Sequence, residues 1–84
     1  MKVSVISPEL TLYDGDATSV VAPAYDGALG ILAGHAPMTT LLGRGTLRIT
    51  RGGDEMRFDV DGGFLQVVDD VVRVVTERAQ EAAR

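Results

Sequence analysis

The sequence predicts an all-β domain, a β-sandwich or flattened barrel of eight to ten short strands. Three observations predict it. Apolar and β-branched residues alternate with polar ones in short runs from Lys2 to Thr76, the pattern of strands with one buried face. Ten glycines and three prolines punctuate those runs, and both residue types mark turns. No linker or repeat divides the 84 residues, so the strands must share one core.

Residues 2–6 alternate, with Val3 and Val5 on one face and Ser4 on the other, and Pro8 stops the run because it lacks a ladder donor. A second short strand is expected over residues 10–13, with Asp14-Gly15 as a hairpin turn. Residues 17–22, centred on Val20 and Val21, read as a strand that Pro23 and Asp26-Gly27 close. Residues 29–32 form a short apolar strand, Gly34-His35-Ala36-Pro37 a loop, and residues 38–42 return to the core. Residues 46–51 place Leu47 and Ile49 inward and Arg48 outward, and Gly52-Gly53 is a hairpin turn. Residues 55–61 place Met56, Phe58 and Val60 inward, and Gly62-Gly63 is read as another turn. Residues 64–68 and 71–76 pair around Asp69-Asp70. Their valine doublets put apolar groups on both faces, so one face is expected in the core and the other against a partner. Residues 1–76 form the predicted domain. Residues 77–84 are polar and alanine-rich, a tail or helix stub too short to be stable alone, with no second domain.

A chain of this size buries only about 60% of its unfolded surface, so modest stability is expected. Cysteine is absent, which excludes disulfides and thiolate metal sites. The net charge is −4. Residues 1–53 carry four acidic and four basic residues, and the remainder eight acidic against four arginines. No basic field gathers nucleic-acid phosphate or anionic lipid. Neither a secretory signal nor a run long enough to span a bilayer is visible, so a soluble, intracellular protein without direct membrane insertion is expected.

Chemistry-bearing patterns are sparse. His35 is the only histidine, Asp26 is the nearest acid, and Ser4, Ser7 and Ser19 lie outside any nucleophile-elbow context. The plainer reading puts His35 at a turn, its ring bonded to nearby backbone. Asp59, Asp61, Asp69 and Asp70 lack the spacing of a calcium loop, and Gly27, Gly30 and Gly34 do not follow a dinucleotide fingerprint. No catalytic, cofactor or metal site is expected. Arg44, Arg48 and Arg51 read as a solvated strand face or as a patch that pairs with an acidic partner. Tyr13 and Tyr25 read as interface anchors or half-buried turn residues.

The densest stretch is residues 27–37, Gly-Ala-Leu-Gly-Ile-Leu-Ala-Gly-His-Ala-Pro, with three glycines and the sole histidine. Together with Val5-Ile6-Ser7-Pro8-Glu9, Leu41-Leu42, Gly45-Thr46-Leu47-Arg48-Ile49 and Gly62-Gly63-Phe64-Leu65-Gln66-Val67, it resembles the epsilon subunit of F-type ATP synthases, called delta in mitochondria. The resemblance runs over nearly the whole chain. It implies a ten-stranded β-sandwich, the N-terminal domain of a non-catalytic central-stalk subunit that links the gamma subunit to the c-ring. Such a subunit couples proton translocation to ATP synthesis and lies peripherally on the cytoplasmic side of the bacterial plasma membrane. Asp26, Gly27, Ala28, Leu29, Gly30, Gly34 and His35 map to the c-ring end. Ala28 stands where many members have glutamate, and so cannot make a charged contact there. Pro37, Met38, Phe64, Gln66, Val68 and Val72 map to the gamma-facing side. Many members continue into a helical domain that restrains ATP hydrolysis. With Arg84 as a natural end, that restraint could not act through this subunit. A stand-alone β-sandwich interaction module is the alternative, and an enzyme built around His35 is a third reading.

Overall fold

The computed structural model describes residues 1–82. Eight strands form, β1 Lys2–Ile6, β2 Thr11–Asp16, β3 Ser19–Ala24, β4 Gly27–Leu32, β5 Met38–Leu41, β6 Arg44–Arg51, β7 Asp54–Val68 and β8 Val71–Glu81. The all-β expectation holds, and its ten strands appear as eight because two are long and bent.

The bend divides the sheet into two layers. On β7, Phe58 and Val60 are buried before Gly62-Gly63, and Leu65 and Val67 are buried after it. Successive strand side chains alternate faces, so the inward parity has inverted from even to odd. On β8, Val72, Val74 and Thr76 are buried, and Ala79 turns toward the core beyond them. Gly62 and Gly63, with φ of 75° and 105°, supply backbone that side-chain-bearing residues rarely adopt. A Cβ on Gly63 would collide with the Val75 carbonyl oxygen and lie 2.7 Å from the Thr76 Cα.

Neighbouring strands turn this corner with β7. β5 and β6 keep one register with it on either side of the bend, Leu41 opposite Phe64 and Arg44 opposite Asp61. Two backbone bonds close the gap, from Leu42 N–H to Gly63 O at 2.9 Å and from Gly62 N–H to Gly43 O at 3.2 Å. Thr76 is the one buried polar residue among the described residues. Its hydroxyl lies 2.9 Å from Gly62 O and 2.8 Å from Arg78 O, so its single proton is shared between two carbonyls at the bend.

One layer therefore runs β4-β3-β6-β7-β8 through residues 54–61 of β7 and 78–81 of β8. The other runs β5-β7-β8-β1-β2 through residues 63–68 and 71–76. β1 and β8 are parallel, and every other pair is antiparallel. The inward faces merge in one cluster, with Val3, Val5, Leu65, Val67, Val72 and Val74 from the second layer. Val20, Ile31, Leu47, Ile49, Phe58 and Val60 come from the first. Full burial of each aliphatic side chain stabilises the fold by roughly 1.5–3 kcal/mol. Tyr13 closes one side of the core edge-on to Phe58, their ring centroids 6.5 Å apart.

Three local expectations are corrected. Asp14-Gly15 lies inside β2, opposite Ser4 and Val3, and the chain reverses instead at residues 7–10, where Ser7 N–H bonds to Leu10 O. Gly62-Gly63 is a mid-strand bend, because its neighbours on both sides keep their pairing through it. Residues 77–81 continue β8, neither a loose tail nor a helix stub. Pairing of residues 78–81 with residues 58–61 of β7 outweighs the weak helical preference of so short a segment. The rest of the predicted stub, Ala83 and Arg84, lies outside the described residues.

Candidate partner-binding surfaces

Residues 27–37 occupy an edge. β4 pairs only with β3 and ends the first layer. The hairpin tip at Tyr25-Asp26 leads into Gly27, whose φ is 132°. Asp26, Gly27 and Ala28 are exposed there, while Leu29 is partly buried against the core. Gly34 and His35 lie beyond Leu32, at the opposite end of β4, separated from Gly27 by the whole strand, about 17 Å. Gly30 sits exposed between them. The structure thus joins Asp26–Ala28 in one tip and places Gly34 and His35 in another.

That second tip is built by long-range contacts. Asp69 and Asp70 have φ of 51° and 63° and make the two-residue turn between β7 and β8, a geometry aspartate tolerates. Asp70 Oδ1 accepts the Gly34 N–H at 2.9 Å. Its carbonyl accepts the Lys2 N–H at 3.1 Å. One residue ties together the β4–β5 loop, the β7–β8 turn and the start of β1. The His35 N–H bonds to Leu32 O at 3.2 Å, and ring Nδ1 lies 2.7 Å from Ala36 O. A neutral ring satisfies that carbonyl as the Nδ1–H tautomer, the turn role expected of it. Among the described residues His35 has no carboxylate or hydroxyl partner.

The outward face of the second layer is a grid of cross-strand rows. One row joins Leu41, Phe64, Val75 and Ile6 across β5, β7, β8 and β1. Leu41 is 62% exposed and Phe64 39%. The next joins Thr39, Gln66, Arg73, Ser4 and Asp14. The third joins Val68, Val71 and Lys2, with Val68 42% and Val71 46% exposed. Exposed apolar side chains clustered this way mark contact surfaces more than singly scattered ones do. The first row reaches toward the Asp26–Ala28 tip, since Tyr25 N–H bonds to Leu41 O at 3.1 Å. Tyr25 is 68% exposed, whereas Tyr13 packs on the core.

Of the residues expected on the gamma-facing side, Phe64, Gln66 and Val68 share this outward face. Pro37 is exposed beside it, and Met38 is partly buried against the core. Val72 is fully buried and points inward. Antiparallel pairing sets Val68 opposite Val71 and Gln66 opposite Arg73, so Val71, Arg73 and Val75 take the outward positions. Leu41, Ile6, Val71, Arg73 and Val75 were missed as surface residues. The signal lay in the two-residue turn at Asp69-Asp70, which fixes which β8 residues lie opposite Phe64, Gln66 and Val68.

Elsewhere an open groove of about 430 Å³ lies over the first layer, lined by Arg44, Thr46, Asp59, Asp61, Arg78 and Gln80. Thr46 Oγ1 donates to Asp59 Oδ1 at 3.3 Å. Nearby, Glu55 pairs with Arg57 at 3.0 Å and Arg48 at 3.7 Å, exposed contacts of small energetic weight.

Fold and surface together define a small two-layer β-sandwich whose distinctive features are turn tips and flat exposed rows. Residues 1–82 match the family described as the β-sandwich domain of the ATP synthase delta/epsilon chain, and the protein belongs to that family. It is 46% identical over 84 residues to the ATP synthase epsilon chain of Solibacter usitatus, across 96% of this chain and 63% of that one. The epsilon chain of Leptospira borgpetersenii is 44% identical over 77 residues, 92% of this chain and 61% of the relative. That of Frankia casuarinae is 43% identical over 81 residues, 95% of both chains. The chain thus spans about three fifths of the Solibacter and Leptospira relatives. Among solved structures, a chain of the Euglena gracilis mitochondrial ATP synthase superposes with a TM-score of 0.87 at 24% identity. It matches 94% of this chain and 51% of that one. At that identity the likeness speaks for the fold.

Proposed function

We propose that this chain is a non-catalytic rotor subunit of an F-type ATP synthase, part of the central stalk between the gamma subunit and the c-ring. In this reading it couples proton translocation to ATP synthesis and sits peripherally on the cytoplasmic side of a bacterial plasma membrane. Family membership over residues 1–82 carries the reading. The surface geometry supports it with two separate docking regions. The outward rows of the second layer, Phe64, Gln66 and Val68 with their neighbours, face gamma, beside Pro37 and Met38. The Asp26–Ala28 tip, with Leu29 and Gly30 behind it, meets the c-ring. Gly34 and His35 cap the opposite end of β4. Two sheets on one close-packed core give such a part the stiffness that torque transmission needs.

Binding to gamma tests the first contact. Folded protein should co-purify with gamma, and a sample showing no detectable association at high micromolar concentration overturns the reading. Proton pumping and ATP hydrolysis measured on the same membranes test the second. Ala28→Lys should weaken pumping while hydrolysis persists, and equal loss of both contradicts a coupling role for the tip.

A further inference from the structure

The outward face of the second layer contains a cation whose chemistry neither the family match nor the fold explains. Arg73 lies in the middle strand of that face, on β8, with β7 and β5 on one side and β1 and β2 on the other. Its row neighbours, Gln66 and Ser4, are uncharged. Asp14, the acidic residue of that row, is two strands away, about 10 Å. Among the described residues Arg73 forms no ion pair. Above and below it along the strands run the two apolar rows, Leu41-Phe64-Val75-Ile6 and Val68-Val71. The other cation of this face, Lys2, lies at the edge of the second apolar row. All this sits on a chain whose net charge is −4.

Arginine flanked by apolar side chains near the centre of a contact face is the arrangement of an interface hot spot. Desolvating a guanidinium without a partner is costly, so an occupant that covers the apolar rows must bring an acceptor to Arg73. Its planar fork suits a carboxylate held by two parallel bonds. We infer that this face receives a protein surface that presents an Asp or Glu carboxylate between two apolar clusters, with Arg73 as the residue that fixes its orientation. The inference rests on the rotor reading, in which that surface belongs to the gamma subunit, and adds to it the chemistry that gamma must supply.

The test uses the F1 sector stripped of its own copy of this subunit, with binding measured by titration at low and high salt. Wild type should bind more weakly as salt rises. Arg73→Glu should weaken binding by roughly 30-fold or more, and Arg73→Gln by about 10-fold with a shallower salt dependence. Arg44→Gln, on the other layer, should stay within about threefold of wild type. Arg73 is exposed, so the variants should melt with wild type, and the Gln variant keeps the test open should the Glu variant fold poorly. Wild-type binding with an Arg73→Glu affinity unchanged overturns the inference and leaves the rotor reading standing. Failure of wild type to bind stripped F1 overturns both. Self-association of the isolated chain that Arg73→Glu abolishes would assign the face to a second copy and overturn the inference.

Discussion

Two glycine-bearing regions look alike in the sequence and behave differently in the fold. At the corner, Gly63 has no space for a side chain, with the Val75 carbonyl and the Thr76 Cα in the way. On the edge strand β4, Gly30 has ordinary strand backbone and nothing within 4 Å of where a Cβ would stand. The corner glycine is demanded from within, because β7 and β8 bend between the layers side by side there and their backbones press together. The edge glycine meets no such demand from the described residues. Glycine inside a strand weakens it for lack of side-chain packing, so Gly30 costs the isolated domain a little stability.

Substitutions break or sharpen that contrast. Gly63→Ala should have the largest effect, at least about 3 kcal/mol, since steric collision adds to a forbidden φ. Thermal melting would read this as a fall of more than about 12 °C for a domain this small. A loss under about 1 kcal/mol would show that the corner relaxes easily and that the contrast is wrong. Thr76→Val comes next. It keeps the shape and removes the hydroxyl whose one proton Gly62 O and Arg78 O share, leaving partly buried carbonyls short of a donor at a cost of about 1–3 kcal/mol. Denaturant titration with an unchanged slope would isolate this from any change in compactness. Gly30→Ala should be the mildest, neutral or stabilising by about 0.4–1 kcal/mol, because it narrows the unfolded ensemble without a clash. Destabilisation beyond about 1.5 kcal/mol would mean that Gly30 carries a constraint inside the domain after all.

The faces of β8 teach the same lesson at finer scale. Val71 and Val72 are adjacent and chemically identical, yet one is 46% exposed and the other fully buried. A run of Val-Val-Arg-Val-Val has no readable period, since period-2 alternation needs contrast between the two faces. Pairing with β7 decides the matter. Val68 and Val71 flank a two-residue turn, so the outward residues of β7 lie opposite the odd-numbered residues of β8. Placing Val72 on the surface beside Phe64, Gln66 and Val68 ignored that rule. The same pairing turns Arg73 outward, opposite Gln66.

Much of the candidate surface was legible in part. Phe64, Gln66 and Val68 were placed together and lie together. His35 is bonded to nearby backbone, as expected, but within Gly27 to Pro37 only residues 33–34 form a turn, and the glycine density does not translate into repeated tight turns. The extent of that stretch in space was not legible. Residues 27–32 run straight as β4 and carry Asp26 and His35 to opposite ends. A compact motif in sequence becomes two sites when its middle is extended.

The amino-acid order by itself determined that the chain is all-β, where most strands begin, that no disulfide shapes it, and which family it belongs to. The first three follow from short-range alternation, from glycine and proline, and from the absence of cysteine; the family follows from motifs matched over nearly the whole chain. Tertiary structure alone decided that Gly62-Gly63 is a bend within a strand and that residues 77–81 are strand. Those outcomes depend on which backbone lies alongside, and a pairing partner many residues away leaves no mark on the local pattern it overrides.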